Sequence, residues 1–515
     1  MIERKIITGL IVSTDYLKAI QNIWDVSLLE SSTAKRLSLW CWEYFDKFNE
    51  APKKHIEGIY FSKSKESNLS KELAQDIEDI LESLSDEYDD TQFNLDYLTD
   101  ETRKYFSERR LKMHIAIIES QLSEGKLLIA EQTACNYKPI ANASENDIDF
   151  TTPEVLSRLE TAFTTSNTTV VKYLGPIGEF FKYQLIKGGL VAFLAPEKRG
   201  KTWLLIDIAM RSVKQNKKVA FFQAGDLTES NFLKRVSIYL AQRSDRETYC
   251  KEHYQPVRDC IRNQMNTCDH EDRTCKFGVF DDRTEKEIRE DLQIDDYVDA
   301  YEKNSDYRPC SACAEYRESH KHLGTVWIKK VKSVKPLSFK EARGIVDRFF
   351  IQQKRYFRLS TYANDTLTIN QIRAKLDVWE KQDGFVPDLI VVDYADLIVP
   401  ESRGEFRHQQ NEIWKGLRRL SQEKGEPLVI TASQSDAKSY EKDRLGLSNF
   451  SEDKRKYSHV TAFYGLNQDK KGREKRFGIM RINELILRED EFDTAREITI
   501  LQNLRRGRPF LASYW

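Results

Sequence analysis

Gly200, Lys201 and Thr202 close the octapeptide Ala195-Pro196-Glu197-Lys198-Arg199-Gly200-Lys201-Thr202. It lies between the apolar run Leu190–Ala195 and the helical pattern TWLLIDIAM that begins at Thr202. A Gly-Lys-Thr at a strand-to-helix turn is the ending of a phosphate-binding loop, G-x-x-x-x-G-K-S/T. Such a loop wraps its backbone N–H groups around the β-phosphate, and the helix N-terminus adds partial positive charge. On this reading residues 195–202 hold ATP, Lys201 neutralises the β- and γ-phosphates, and the Thr202 hydroxyl holds Mg²⁺. Gly200 lets the backbone approach closely. The motif's first glycine is Ala195 here. A bare Gly-Lys-Thr also arises by chance at ordinary turns; the strand before it and the helix after it favour the binding reading.

Three more polar residues follow apolar runs. Val391-Val392-Asp393 ends in an acid at the tip of a strand, where open α/β sheets bind ligands. Asp393 is the expected companion of Thr202 in holding Mg²⁺. The run ending at Phe222 leads to Gln223-Ala224-Gly225-Asp226, which places Asp226 within reach of a water attacking the γ-phosphate. The run Leu428–Thr431 leads to Gln434, a residue placed to report loss of that phosphate. By spacing alone, Asp226 and Gln434 read equally well as loop residues without chemistry.

A second chemistry lies in the cysteines, six of whose eight fall between Cys250 and Cys313. Cys310-Ser311-Ala312-Cys313 is a C-x-x-C knuckle, and Cys260 with Cys268 can supply the other pair of a closed, structural Zn²⁺ site. Cys250, Cys275, His253, His270 and His320 are further candidates. The plain alternative is a set of unligated thiols in a reduced protein. A redox C-x-x-C is disfavoured because no βαβ context surrounds it.

The elements that must position these residues are legible in outline. Short apolar runs alternate with helical stretches from about residue 188, the pattern of a parallel sheet covered on both faces. The pattern is interrupted over 243–335, a Cys-rich, charged, Tyr-rich insertion. Residues 1–140 are helical, with apolar spacing at Leu37, Trp40, Cys41, Tyr44 and Phe48, and again from Tyr105 to Leu122. Thr99 or Asp100 is the expected cap of that second helix, and Gly125 lies near its end. A polar, Pro-punctuated stretch around 138–153 marks a linker, taken as 141–184, ahead of a nucleotide-binding domain over 185–515.

Read together, GGLVAFLAPEKRGKTWLL, VAFFQAGDL, PDLIVVDYADLI, GLRRLSQEKGEPLVITASQS and REITILQNLRRGRPF resemble the motor domain of DnaB-family replicative helicases, in that family's order. YLTDETRKYFSERRLKMHIAIIE resembles its N-terminal domain more weakly. The resemblance implies a RecA-like P-loop ATPase core, an α/β fold, in a homo-hexameric ring with ATP between subunits and single-stranded DNA in the channel. It carries Lys201, Thr202, Asp393 and Gln434 over to the roles given above, and Arg505 to an arginine finger that reaches a neighbour's ATP. A primase or loader protein is the implied partner. The chain departs from the family at Asp226, where the catalytic acid is one methylene longer, and at Asn503, where a lysine is usual. Arg506 and Arg508 flank the finger and are its possible substitutes.

The loops after Asp393 (Arg403, Arg407, His408) and after Gln434 (Lys438, Lys442, Arg444) would face such a channel. The segment 469–476, five basic residues against two acidic, reads as a hairpin tip with Gly472 in its turn. Overall charge gives no independent support for nucleic-acid binding: 81 basic against 82 acidic residues leave a net charge of −1. The longest apolar runs are far short of the ~20 residues that span a bilayer, and the N-terminus lacks a cleavage signal. A cytoplasmic setting without membrane partners is therefore expected. The leading expectation is an ATP-dependent DNA helicase acting in replication. A RecA-type ATPase of recombination or anti-phage defence that uses ATP as an assembly switch, and a nucleotide-binding scaffold without unwinding, are the alternatives. Strand separation, turnover without unwinding, and binding without turnover distinguish the three.

Overall fold

The computed structural model describes residues 2–66, 71–84, 94–135, 137, 155–157, 159–160, 163, 168–225, 227–313, 322–353, 355–401, 406–449, 454–488, 493 and 495–515. The chain divides into two units, Met1–Leu156 and Ser157–Trp515. The first is helical, and Leu37, Trp40 and Cys41 of the helix Ser32–Phe48 are buried in one core with Leu10, Tyr16 and Phe106. Phe45 continues that stripe, while Phe48 is 53% exposed because the helix ends at Asn49 in a left-handed turn. The long helix Leu95–Ser123 starts a turn earlier than Thr99 and Asp100 suggest. Asn94 caps it by accepting the Tyr97 N–H at 3.0 Å, so the two later residues fall inside the helix. The expected linker stretch 138–153 lies outside the described residues.

The second unit contains strands β1 (Leu190–Ala195), β2 (Val219–Ala224), β3 (His253–Cys260), β4 (Gly324–Val331), β5 (Phe357–Tyr362), β6 (Leu389–Asp393), β7 (Leu428–Gln434), β8 (Ala462–Asn467), β9 (Ile479–Leu487), β10 (Glu497–Asn503) and β11 (Arg508–Tyr514). Nine of them form one sheet in the order β11-β10-β9-β8-β1-β7-β6-β2-β5. The six from β8 to β5 run parallel, and β9, β10 and β11 add an antiparallel edge. All of β1 is buried because both faces are covered. Val191, Phe193 and Ala195 face the core that holds the helix Lys201–Lys214, and Leu190, Ala192 and Leu194 face the core of Trp414 and Leu417. The period of two thus assigns alternate residues to opposite layers. Val170, Tyr173, Ile177 and Phe180 also pack into the first of these cores. Part of the stretch taken as linker over 141–184 is therefore integral to this unit, because its apolar residues complete a helix–sheet layer.

β3 and β4 pair with each other as a separate two-stranded antiparallel sheet within the insertion. The insertion does not hang free. Ile261, Tyr297 and Trp327 share one core with Phe477 and with Ile479, Leu501 and Tyr514 from the antiparallel edge of the main sheet. Arg258 donates to the Ser513 carbonyl at 3.2 Å, and Gly324 lies so close beneath the Tyr514 ring that a Cβ there would come within 2.5 Å. Among the described residues no helix is long and apolar enough to cross a membrane.

Candidate functional site

The loop 195–202 joins β1 to the helix Lys201–Lys214 at the carboxyl edge of the parallel strands. Ala195 and Pro196 are buried, Glu197 and Lys198 are exposed, and Arg199, Gly200, Lys201 and Thr202 lie between these extremes. The positive φ angles of the loop fall on Lys198 (59°) and Gly200 (87°) and not on Ala195, so a methyl group at 195 costs the backbone nothing. That is the physical reason the first motif glycine is dispensable here. Lys201 Nζ donates to the Ala195 carbonyl at 3.2 Å and stands 4.8 Å from the centre of the Tyr394 ring. Arg199 Nη1 donates to buried Gln468 Oε1 at 2.9 Å.

Asp393 is buried at the end of β6, two strands from β1, which is about 10 Å at the usual strand spacing. The strand between them is β7, whose register sets Gln434 opposite Ala195. Lys201, Asp393 and Gln434 therefore meet at one edge of the sheet. Gln434 Nε2 donates to Glu197 Oε1 at 3.1 Å, and the Tyr394 hydroxyl donates to Gln434 Oε1 at 3.4 Å. Asp226 lies outside the described residues.

Two residues of this edge escaped the sequence reading. Asp396 accepts the Gln434 backbone N–H at 2.6 Å, the Ser433 hydroxyl at 3.0 Å and Lys456 Nζ at 2.7 Å. The Lys456 side chain is only 2% exposed. The signal was present in the charge of Asp396 three residues past Asp393, but Lys456 sits in a mixed-charge loop where no pattern distinguishes a buried lysine from a solvated one. Breaking one side of a buried pair leaves the other charge uncompensated. Lys456→Met is expected to lower the unfolding free energy by about 3–5 kcal/mol. A denaturant midpoint equal to that of the wild type would show the pair to be dispensable.

Arg505 is exposed in the turn Leu504–Arg506 between β10 and β11. Leu504 Cδ1 comes within 3.6 Å of where a Cβ on Gly200 would lie, so this turn sits beside the chain's own loop. Arg505 lines a cavity of about 540 Å³ with Trp203, Asn231, Arg235, Arg246 and Tyr249. Arg506 and Arg508 are half-buried, with Arg506 spent on the Lys332 carbonyl.

Cys260, Cys310 and Cys313 are buried and Cys268 is partly so. Burial, then the neighbouring Cys260, Cys268 and Cys310, push the Cys313 thiol up. The carboxylate of buried Asp259 accepts the backbone N–H groups of both Cys260 and Cys310 at 2.8 Å, joining the two cysteine-bearing segments. Yet among the described residues no group of three or more Cys, His, Asp or Glu side chains is arranged to hold a metal ion. This differs from the tetrahedral site expected of Cys260, Cys268, Cys310 and Cys313.

Of the channel-facing candidates, Arg403 and the side chains of Arg407 and Lys438 lie outside the described residues, and His408 is exposed. Arg444 lies 3.9 Å from Glu497, and Lys442 donates to Asn449. The segment 469–476 does form the tip between β8 and β9, with Gly472 at φ 73°. Its Arg473 is spent on the carbonyls of Arg289 and Leu292 in the insertion.

No family model and no curated protein sequence matches the chain. The backbone does match a DnaB-like replicative helicase, described together with its interactions with primase, at a TM-score of 0.59 and 11% identity over 98% of both chains. The fold is that of a DnaB-like replicative helicase. In this DnaB-like fold the RecA-like core is the nine-stranded sheet with the loop 195–202 at its edge. A second solved structure, an isolated ATPase domain, matches 70% of this chain and 98% of its own at a TM-score of 0.43 and 13% identity.

Proposed function

We propose that the chain is an ATP-dependent helicase or translocase that moves on single-stranded DNA in replication. The observation that carries this reading is the convergence on one sheet edge of Lys201, held over Tyr394, with buried Asp393 and with Gln434 opposite Ala195. Lys201 and the backbone of the loop bind the phosphates, and Gln434 answers to the terminal one. The Gln434 amide donates to Glu197 Oε1, a hydrogen bond with which a γ-phosphate would compete. The Thr202 hydroxyl and the Asp393 carboxylate are hard oxygen donors suited to Mg²⁺, which would supply charge neutralisation for the phosphates. Asp226 is proposed as the residue that orients the attacking water, and Arg505 as the arginine that meets the γ-phosphate of a neighbouring subunit. The particle is proposed to be a homo-hexamer that works with a primase or loader protein.

The test is ATP turnover with and without single-stranded DNA, run beside a sizing measurement. Strong DNA stimulation on a six-chain particle supports the reading; turnover indifferent to DNA removes the motor function.

Zn²⁺ at Cys260, Cys268, Cys310 and Cys313 belongs to the same proposal as a fold-stabilising ion with no part in hydrolysis. Its support is the C-x-x-C spacing and the Asp259 bridge between the segments that carry Cys260 and Cys310. Elemental analysis is expected to find one zinc per chain; a zinc-free, stable protein retires it.

A further inference from the structure

The insertion holds the Arg505 turn on both of its flanks. Asn503, the last residue of β10, is 6% exposed, and its Nδ2 donates to Gln255 Oε1 at 2.9 Å and to His253 Nε2 at 3.0 Å. Both acceptors lie on β3. The His253 tautomer is set locally, because Nδ1 donates to the Lys251 carbonyl at 3.0 Å and leaves Nε2 as an acceptor. On the other flank, Arg506 Nη2 donates to the carbonyl of Lys332, just past β4, at 2.8 Å. Gly507 closes the turn on Leu504 and lies against Ile238, where a Cβ would come within 2.8 Å. Arg505, between these two anchored flanks, stays exposed.

Asn503 suits this place chemically. Its amide carries two N–H groups in one plane and satisfies two acceptors at once, whereas a lysine here would bury a charge.

We propose that the Cys-rich insertion is a brace for the arginine turn, with Gln255 and His253 as positioning residues that fix Asn503 and so aim Arg505. The proposal rests on the reading of Arg505 as the arginine that meets the γ-phosphate. A guanidinium on a short exposed turn must reach a phosphate within hydrogen-bond distance, and misplacement by ~1 Å costs on the order of 10²-fold in rate. The brace removes that freedom before nucleotide arrives.

The experiment uses the full chain and compares wild type, Gln255→Met, His253→Phe, Arg505→Ala and the Gln255→Met/Arg505→Ala double variant. Readouts are the kcat of ATP hydrolysis and the affinity for a fluorescent ATP analogue. Gln255→Met is expected to lower kcat by about 10- to 100-fold with analogue affinity unchanged. The double variant is expected to be no slower than Arg505→Ala alone, since the brace acts only through that side chain. Wild-type kcat in Gln255→Met, or losses that multiply in the double variant, overturn the brace while leaving the Arg505 reading intact. Unchanged kcat in Arg505→Ala overturns that reading and the brace with it. If Gln255→Met does not fold, the half-exposed His253→Phe carries the same comparison.

Discussion

Lys201→Ala is expected to abolish ATP hydrolysis, by about 10²- to 10³-fold in kcat or down to background. In the proposed site the ammonium of Lys201, in the first turn of its helix, is held at 3.2 Å by the Ala195 carbonyl and stands over the Tyr394 ring. Such a preorganised charge costs no rearrangement at the moment of reaction, so its removal is felt mostly in the transition state. Alanine is the best helix former and Lys201 is only half-buried, so the fold should not suffer. The check is kcat with Mg-ATP and single-stranded DNA beside a thermal midpoint. Undiminished turnover would remove residues 195–202 from the chemistry.

Arg505→Ala is expected to cost about 10³-fold or more in kcat, the scale of an arginine finger in phosphoryl transfer. The turn stands beside its own chain's loop through Leu504 and Gly200, which makes action within one chain a concrete rival to action across a subunit boundary. Mixing Lys201→Ala with Arg505→Ala separates them. If the arginine serves a neighbour, some interfaces in the mixture combine an intact loop from one variant with an intact arginine from the other, and activity returns. If it serves its own chain, no mixture exceeds the two parents, and the trans geometry is wrong.

Much of this was legible in the residues. The alternation that announced a covered parallel sheet is realised in β1, where every residue is buried and odd and even positions face different cores. The other half of the sheet was harder to read. β8 and β9 carry buried polar groups, such as Asn467, which donates to Asn483 at 2.8 Å, and fully buried Glu484, which pairs with Arg496 at 2.8 Å. A polar network of this kind weakens the apolar periodicity by which strands are recognised. The helix cap at Asn94 was missed for a milder reason, since three acceptable cap residues stand close together in the chain.

The chain alone determined the loop chemistry and the layered α/β design. Both are local: the proposed phosphate site is eight consecutive residues, and the alternation of layers is carried by neighbouring residues of a strand such as β1. Tertiary structure decided what Gln434 touches, Glu197 being 237 positions away in sequence. It also decided that a buried Lys456 steadies the same edge, and that the insertion docks on β9–β11 to grip Asn503, 248 positions from Gln255. Such contacts follow from strand order and from the fit of one surface on another, which no window of neighbouring residues encodes.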